Sequence, residues 1–187
     1  YGGSTYNRFD EVLAPYVEMS YNKHLKNGRV YGVNNLNKYA EELTTKECYD
    51  AIQAFEYEVN TLHTSNGQTP FLSVGFGLGS CKWSRMIQNA ILDVRLKGLG
   101  EKELTPVFPK LLYTIKKGHN STKNDPFYDI KKKAIYCSTK RIYPDFVSYE
   151  NVTKATGDFK APMSCRSFLS EHNGEAEGRC NLGVVTV

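Results

Sequence analysis

The chain has 187 residues, 40% hydrophobic and 24% charged, which is ordinary for a globular protein and enough for one domain with its own core. A net charge of +4 suits a polyphosphate ligand, but no basic block with interleaved aromatics argues for nucleic acid. No apolar run approaches the length of a membrane span, and no signal-peptide pattern opens the chain.

In chain order, the opening "YGGSTYNRF" has no initiator methionine and reads as part of a longer protein. A first helix is predicted over Asp10 to Lys26, with Pro15 in its early turns and Gly28 as its stop. Gly32 to Asn37 reads as loop. The strongest helix runs from Thr44 to about His63. Thr44 and Glu47 have capping-box spacing, and Cys48, Ile52, Phe55, Val59 and Leu62 share one face. Cys48 therefore reads as a core thiol.

Phe71 to Phe76 reads as a strand, and Ser84 to Lys97 as a helix ended by Gly98. "VFPKLLYTI" reads as a second strand beginning near Pro109. Asp125 and Pro126 look like an N-cap and first helical residue for a helix reaching Lys140. Lys131, Lys132 and Lys133 lie within it as a solvated face. A long loop and a third strand, "LGVVTV", complete the chain. Alternation of this kind predicts an α/β fold with parallel strands, and no linker divides it.

Five cysteines without a CxxC pair argue against a zinc ribbon, a thioredoxin motif or a disulfide framework. The simplest reading is a reducing, cytoplasmic compartment, where the sequons at Asn120 and Asn151 carry no meaning. "GFGLGS" (Gly75 to Ser80) lacks the Lys-Ser/Thr of a phosphate loop and reads better as a strand end lining a pocket. "LHTSNGQTPF" contains His63, Ser65, Asn66 and Gln68, and is either a polar turn or the wall of a polar pocket. From the residues alone, Cys165 in "APMSCRSFL" is a structural thiol, a nucleophile or a metal ligand. His63, His119 and His172 are available to a cysteine hydrolase, but nothing pairs them with it.

"LHTSNGQTPF", "FGLGS", "VFPKLLYTI", "DPFYDI", "KRIYPD", "PMSCRSFL" and "NLGVVTV" occur in this order. Together they closely resemble the anaerobic, class III ribonucleoside-triphosphate reductases, a glycyl-radical family. The resemblance spans nearly the whole chain. It implies that residues 1–187 are one partial domain, a contiguous part of a ten-stranded α/β barrel with a finger loop. It implies that Cys165 is the finger-loop cysteine that becomes a thiyl radical and abstracts the ribose 3′ hydrogen. Asn181 matches a position that hydrogen-bonds the substrate ribose. His63, Ser65, Asn66 and Gln68 are further pocket candidates.

The implied parent enzyme reduces ribonucleoside triphosphates as a homodimer. It depends on a radical-SAM iron–sulfur activating enzyme, a glycyl radical, structural zinc, ATP or dNTP effectors, and formate or a thiol as reductant. The segments carrying the ATP-binding module, zinc and glycyl radical are not among these residues, and neither is a second catalytic cysteine. The fragment alone is expected to be inactive, and no metal site is expected in it. The alternative is an inert nucleotide-binding or assembly module.

Two residues depart from the family pattern: Ser164 stands where it usually has glycine, and Cys180 where it commonly has asparagine. A hydrogen-atom abstractor starts from the neutral thiol, so a cation against the sulfur would oppose it. Arg166 is accordingly expected to point away from Cys165.

Overall fold

The computed structural model describes residues 3–63, 67, 69–162 and, for the backbone, 178–181. Its elements are β1 (Gly3–Tyr6), α1 (Phe9–Val12), α2 (Ala14–Val30), α3 (Leu36–Thr61), β2 (Phe71–Phe76), α4 (Lys82–Lys97), β3 (Lys110–Ile115), α5 (Tyr128–Arg141), β4 (Asp145–Ser148), α6 (Tyr149–Thr156) and β5 (Gly178–Asn181). The strands form one five-stranded sheet in the order β4-β3-β2-β1-β5. β1 to β4 are mutually parallel, and β5 runs antiparallel to β1 with Gly3 opposite Asn181 and Tyr6 opposite Gly178. The α/β reading is borne out, with a parallel sheet at its centre.

The period-two alternation of strands sorts the core into two layers. Val74, Phe76, Leu111 and Tyr113 pack with Cys48 and Ile52 of α3, Ile87, Ile91 and Val94 of α4, and Ile130, Ala134 and Cys137 of α5. Leu112 and Val147 belong to the opposite face, with Val152, Phe159 and Ala161. Each fully buried Leu, Ile or Val contributes about 1.5–3 kcal/mol, so among the described residues the helical layer holds most of the apolar stabilisation. Cys48 is a core thiol, and burial pushes its pKa up to about 11.

Several boundaries differ from the sequence pattern for identifiable reasons. α3 begins at Leu36, where the Asn35 side chain accepts from the Lys38 N–H at 3.1 Å. Thr44 is therefore interior and buried, and its hydroxyl donates to the Ala40 carbonyl at 2.6 Å instead of capping. The predicted stop at Gly28 lies inside α2. A Cβ there would come within 2.9 Å of Leu36 and 3.0 Å of Tyr39, so this glycine permits close approach of α2 and α3. Asp125 does not cap α5: its side chain accepts from the Thr122 N–H at 2.7 Å and closes a turn, while α5 starts at Tyr128.

β2 matches its predicted span, and Gly98 caps α4 at a φ of 81°. The expected long loop after α5 contains β4 and α6. The expected strand at 182–187 lies outside the described residues.

Candidate functional site at the ends of the parallel strands

The C-terminal ends of parallel strands are where an α/β sheet carries functional loops. Here β1 leads into Asn7 and Arg8, β2 into Gly77 to Gly79, β3 into Lys116 to Asn120, and β4 into Tyr149. Asn120, fully buried, ties two of these exits together. Its Nδ2 donates to the carbonyls of Gly77 and Thr114, each at 2.9 Å, and to the Tyr113 hydroxyl at 3.1 Å, while its Oδ1 accepts from the Lys116 N–H at 2.9 Å. These bonds leave the sequon at Asn120 no accessible amide.

"GFGLGS" wraps a carboxyl group that belongs to the protein. Asp10 is fully buried, and its Oδ2 accepts the N–H groups of Gly77 at 3.2 Å and Gly79 at 3.0 Å and the Gln88 Nε2 at 2.5 Å. Burial raises the Asp10 pKa above the usual carboxylate range, and these three hydrogen bonds partly offset the shift. The chain needs glycine here for two reasons. Gly77 has a φ of 108°, where a side chain is strained. At Gly79 a Cβ would meet Ser84 Cβ at 2.4 Å and Asp10 Oδ2 at 2.9 Å.

Beside this turn lies a cleft of about 290 Å³, lined among others by Arg8, Glu11, Lys116, His119, Tyr149 and Asp158. Its charge is mixed: Arg8 pairs with Glu11 at 2.7 Å, and Lys116 lies 4.4 Å from the centre of the Tyr149 ring. Burial lowers the His119 pKa, favouring the neutral imidazole, and the ring packs on Phe127 with centroids 4.5 Å apart. The cleft thus offers hydrogen bonding in both directions without a net charge that would select an anion.

The opposite edge gathers other predicted residues. Gly3 is flanked by Phe71 and by Asn181, so Asn181 and the segment leading into β2 share the edge where the parallel strands begin. His63 is exposed there beyond α3, its Nδ1 2.9 Å from the Thr61 carbonyl. Ser65, Asn66, Gln68, Cys165 and Arg166 lie outside the described residues. Among the described residues no group of three or more His, Cys, Asp or Glu could hold a metal, and no helix is long and apolar enough to cross a membrane.

The sequence pattern misses the Asp10 turn. Asp10 stands where a helix is expected to start, and only an Asp–glycine pairing across more than sixty positions would have revealed its role. That pairing has no local signature.

Sheet and helices define an α/β protein with a parallel sheet at its centre. The chain belongs to the anaerobic ribonucleoside-triphosphate reductase family, whose pattern matches residues 1–187. It is 58% identical to the anaerobic ribonucleoside-triphosphate reductase of Haemophilus influenzae, 55% to that of Escherichia coli and 54% to that of Salmonella typhimurium, in each case over the whole chain. It spans 27% of the length of each of these relatives.

Proposed function

We propose that these residues form the thiyl-radical part of an enzyme that reduces ribonucleoside triphosphates anaerobically, with Cys165 as the hydrogen-atom abstractor and Asn181 as a ribose contact. One observation carries the reading beyond family membership. The described residues on either side of 163–177 lie at one edge of the sheet: Ala161 packs at Gly75 near the end of β2, and Gly178 lies opposite Tyr6 at the end of β1. Cys165 is three residues beyond Pro162, and Asn181 three residues beyond Gly178. A loop carrying a finger-tip cysteine has to leave and rejoin the sheet at one edge, and the positions of Ala161 and Gly178 are compatible with that.

The residues suit the reaction. The Cys165 sulfur takes the 3′ hydrogen atom and forms S–H, leaving a ribose radical. The 2′ hydroxyl leaves as water after gaining a proton. Formate, oxidised to carbon dioxide, or a pair of thiols, oxidised to a disulfide, supplies two electrons, and a proton is added at C2′. The S–H then returns its hydrogen atom to C3′. Asn181 is neutral and both donates and accepts, so it orients a ribose hydroxyl without adding charge. The glycyl radical, borne outside these residues, supplies the unpaired electron when formed. Zinc, the effector nucleotides, the activating enzyme, the ten-stranded barrel and the homodimer follow from the family, and the 187 residues alone are inert.

The test is Cys165→Ala in the full-length, activated enzyme. Loss of ribonucleotide reduction with the glycyl radical still formed is expected. Unaltered reduction would reject the radical role and favour an inert nucleotide-binding or assembly module.

A further inference from the structure

We propose that Lys110 binds the 5′-triphosphate of the substrate: it is a cation held at the edge where the parallel strands begin, one strand beyond the row that contains Asn181. The proposal rests on the reading of Asn181 as a ribose contact.

Asn181, Gly3 and Phe71 are register partners across β5, β1 and β2. Two strand spacings separate the backbones of Asn181 and Phe71, about 10 Å. Gly3 between them carries no side chain. Lys110 opens β3 opposite Ser73. Val74 and Leu111 face the helical layer, so alternation assigns Phe71 and Lys110 to the opposite face. The Lys110 ammonium reaches back to Phe71, with Nζ 4.9 Å from the ring centre, and it lies 5.8 Å from the centre of the Tyr143 ring.

Those rings orient the ammonium without neutralising it. Among the described residues Lys110 has no ion-pair partner, whereas Lys23, Lys38, Lys46, Lys82 and Lys133 each meet a carboxylate. The other cation at Tyr143, Arg95, lies 5.9 Å from the ring centre but is fully buried and bonded to Glu56. Lys110 is half-buried, and aromatic walls of low dielectric strengthen its attraction for an anion. A lysine serves phosphate as a point charge and needs no fixed fork of donors. A ribonucleoside triphosphate with its ribose at Asn181 carries its charge on the 5′ side. The row past Gly3 and Phe71 leads that charged chain to Lys110.

The experiment uses the full-length activated enzyme at saturating effector, with turnover normalised to the glycyl radical measured by EPR. Lys110→Met should raise KM for the ribonucleoside triphosphate about tenfold to a hundredfold and change kcat per radical less than about threefold. Lys110→Arg, which keeps the charge, should stay within about threefold of wild type in KM. The unphosphorylated ribonucleoside, used as a competitive inhibitor, should bind both variants as it binds wild type, because it lacks the group that Lys110 meets. A merely structural role would lower the melting temperature with KM of the folded enzyme unchanged, or weaken nucleoside and triphosphate alike. Either result in Lys110→Met, or in Lys110→Gln if Lys110→Met does not fold, would overturn the proposal. Failure of the underlying reading is seen separately, as nucleoside inhibition unaltered by Asn181→Ala.

Discussion

Two fully buried carboxylates divide the molecule's polar interior, and they are held in opposite ways. Glu56, behind the sheet, faces a charge: its Oε1 accepts from Arg95 Nε at 3.1 Å and Nη2 at 2.9 Å, and the same Nη2 donates to the Pro109 carbonyl at 2.7 Å. Asp10, at the strand ends, faces only neutral N–H donors. Burial raises the pKa of both acids. The charged pair joins α3 and α4 to the entry of β3 and serves the fold. The neutral cradle joins α1, the turn after β2 and α4 at the C-terminal ends of the strands. A buried ion pair demands its partner, whereas at Asp10 neutral N–H donors favour the charged form against the burial that opposes it.

That difference can be broken experimentally, beginning with the larger effect. Arg95→Met strands Glu56 without its cation and should destabilise the 187-residue chain by about 3–5 kcal/mol in urea unfolding. Combining it with Glu56→Leu should recover most of the loss. A single variant within about 1 kcal/mol of wild type would contradict the pairing as described.

At the other region, Asn120→Ala removes four hydrogen bonds that join the β2 and β3 exits. A loss of about 1–3 kcal/mol is expected, with faster amide exchange of Lys116 and little change in α3 and α4. Uniform acceleration through the helical layer would show that the edge is not a separable unit.

Thiol chemistry sharpens the same contrast at smaller energetic cost. Burial pushes Cys48 and Cys137 up to about 11. At Cys81, partial burial raises the pKa, but hydrogen bonds from the Ser84 side chain and backbone outweigh it and the net shift is downward. Peptide mapping after brief alkylation near pH 8 should find Cys81 modified well before Cys48 and Cys137. Equal labelling of Cys48 would mean that the helical layer opens readily.

The smallest effect lies on the exposed seam between α2 and α3. Glu47 accepts from Lys23 at 2.5 Å, from Ser20, and lies 2.9 Å from His24 Nε2. Led by the Lys23 bond, these lower its pKa from 4.5 to about 2. Its contribution is complete above about pH 4.5 and disappears as the pH falls through about 2. Because the group is half exposed, it is worth under about 1 kcal/mol. Glu47→Gln should flatten that part of the stability–pH profile, and an unchanged profile would remove Glu47 as its source.

Much of the fold is legible where local pattern and tertiary contact agree. β2 and α4 carry long apolar sets and clear stops, and both match. β1 and β4 have four residues each, too few for alternation to declare itself, and they exist because β2 and β3 offer them partners. The Thr44–Glu47 spacing imitates a cap, but Asn35 captures the helix start earlier and the whole segment then coils through Thr44. For the proposed site, Cys165 and Asn181 enter only through the family resemblance of the ordered motifs, since no spacing rule joins them. Asp10 was invisible because its meaning depends on a glycine turn remote in sequence.

The pairing of β5 with β1 sets unequal tolerances to changes in chain length. Side chains alternate along a strand, so one residue inserted within Gly178–Asn181 would turn Asn181 to the other face of the sheet. Insertions and deletions within Gly178–Asn181 should therefore be rare among homologues, and those of odd length rarest.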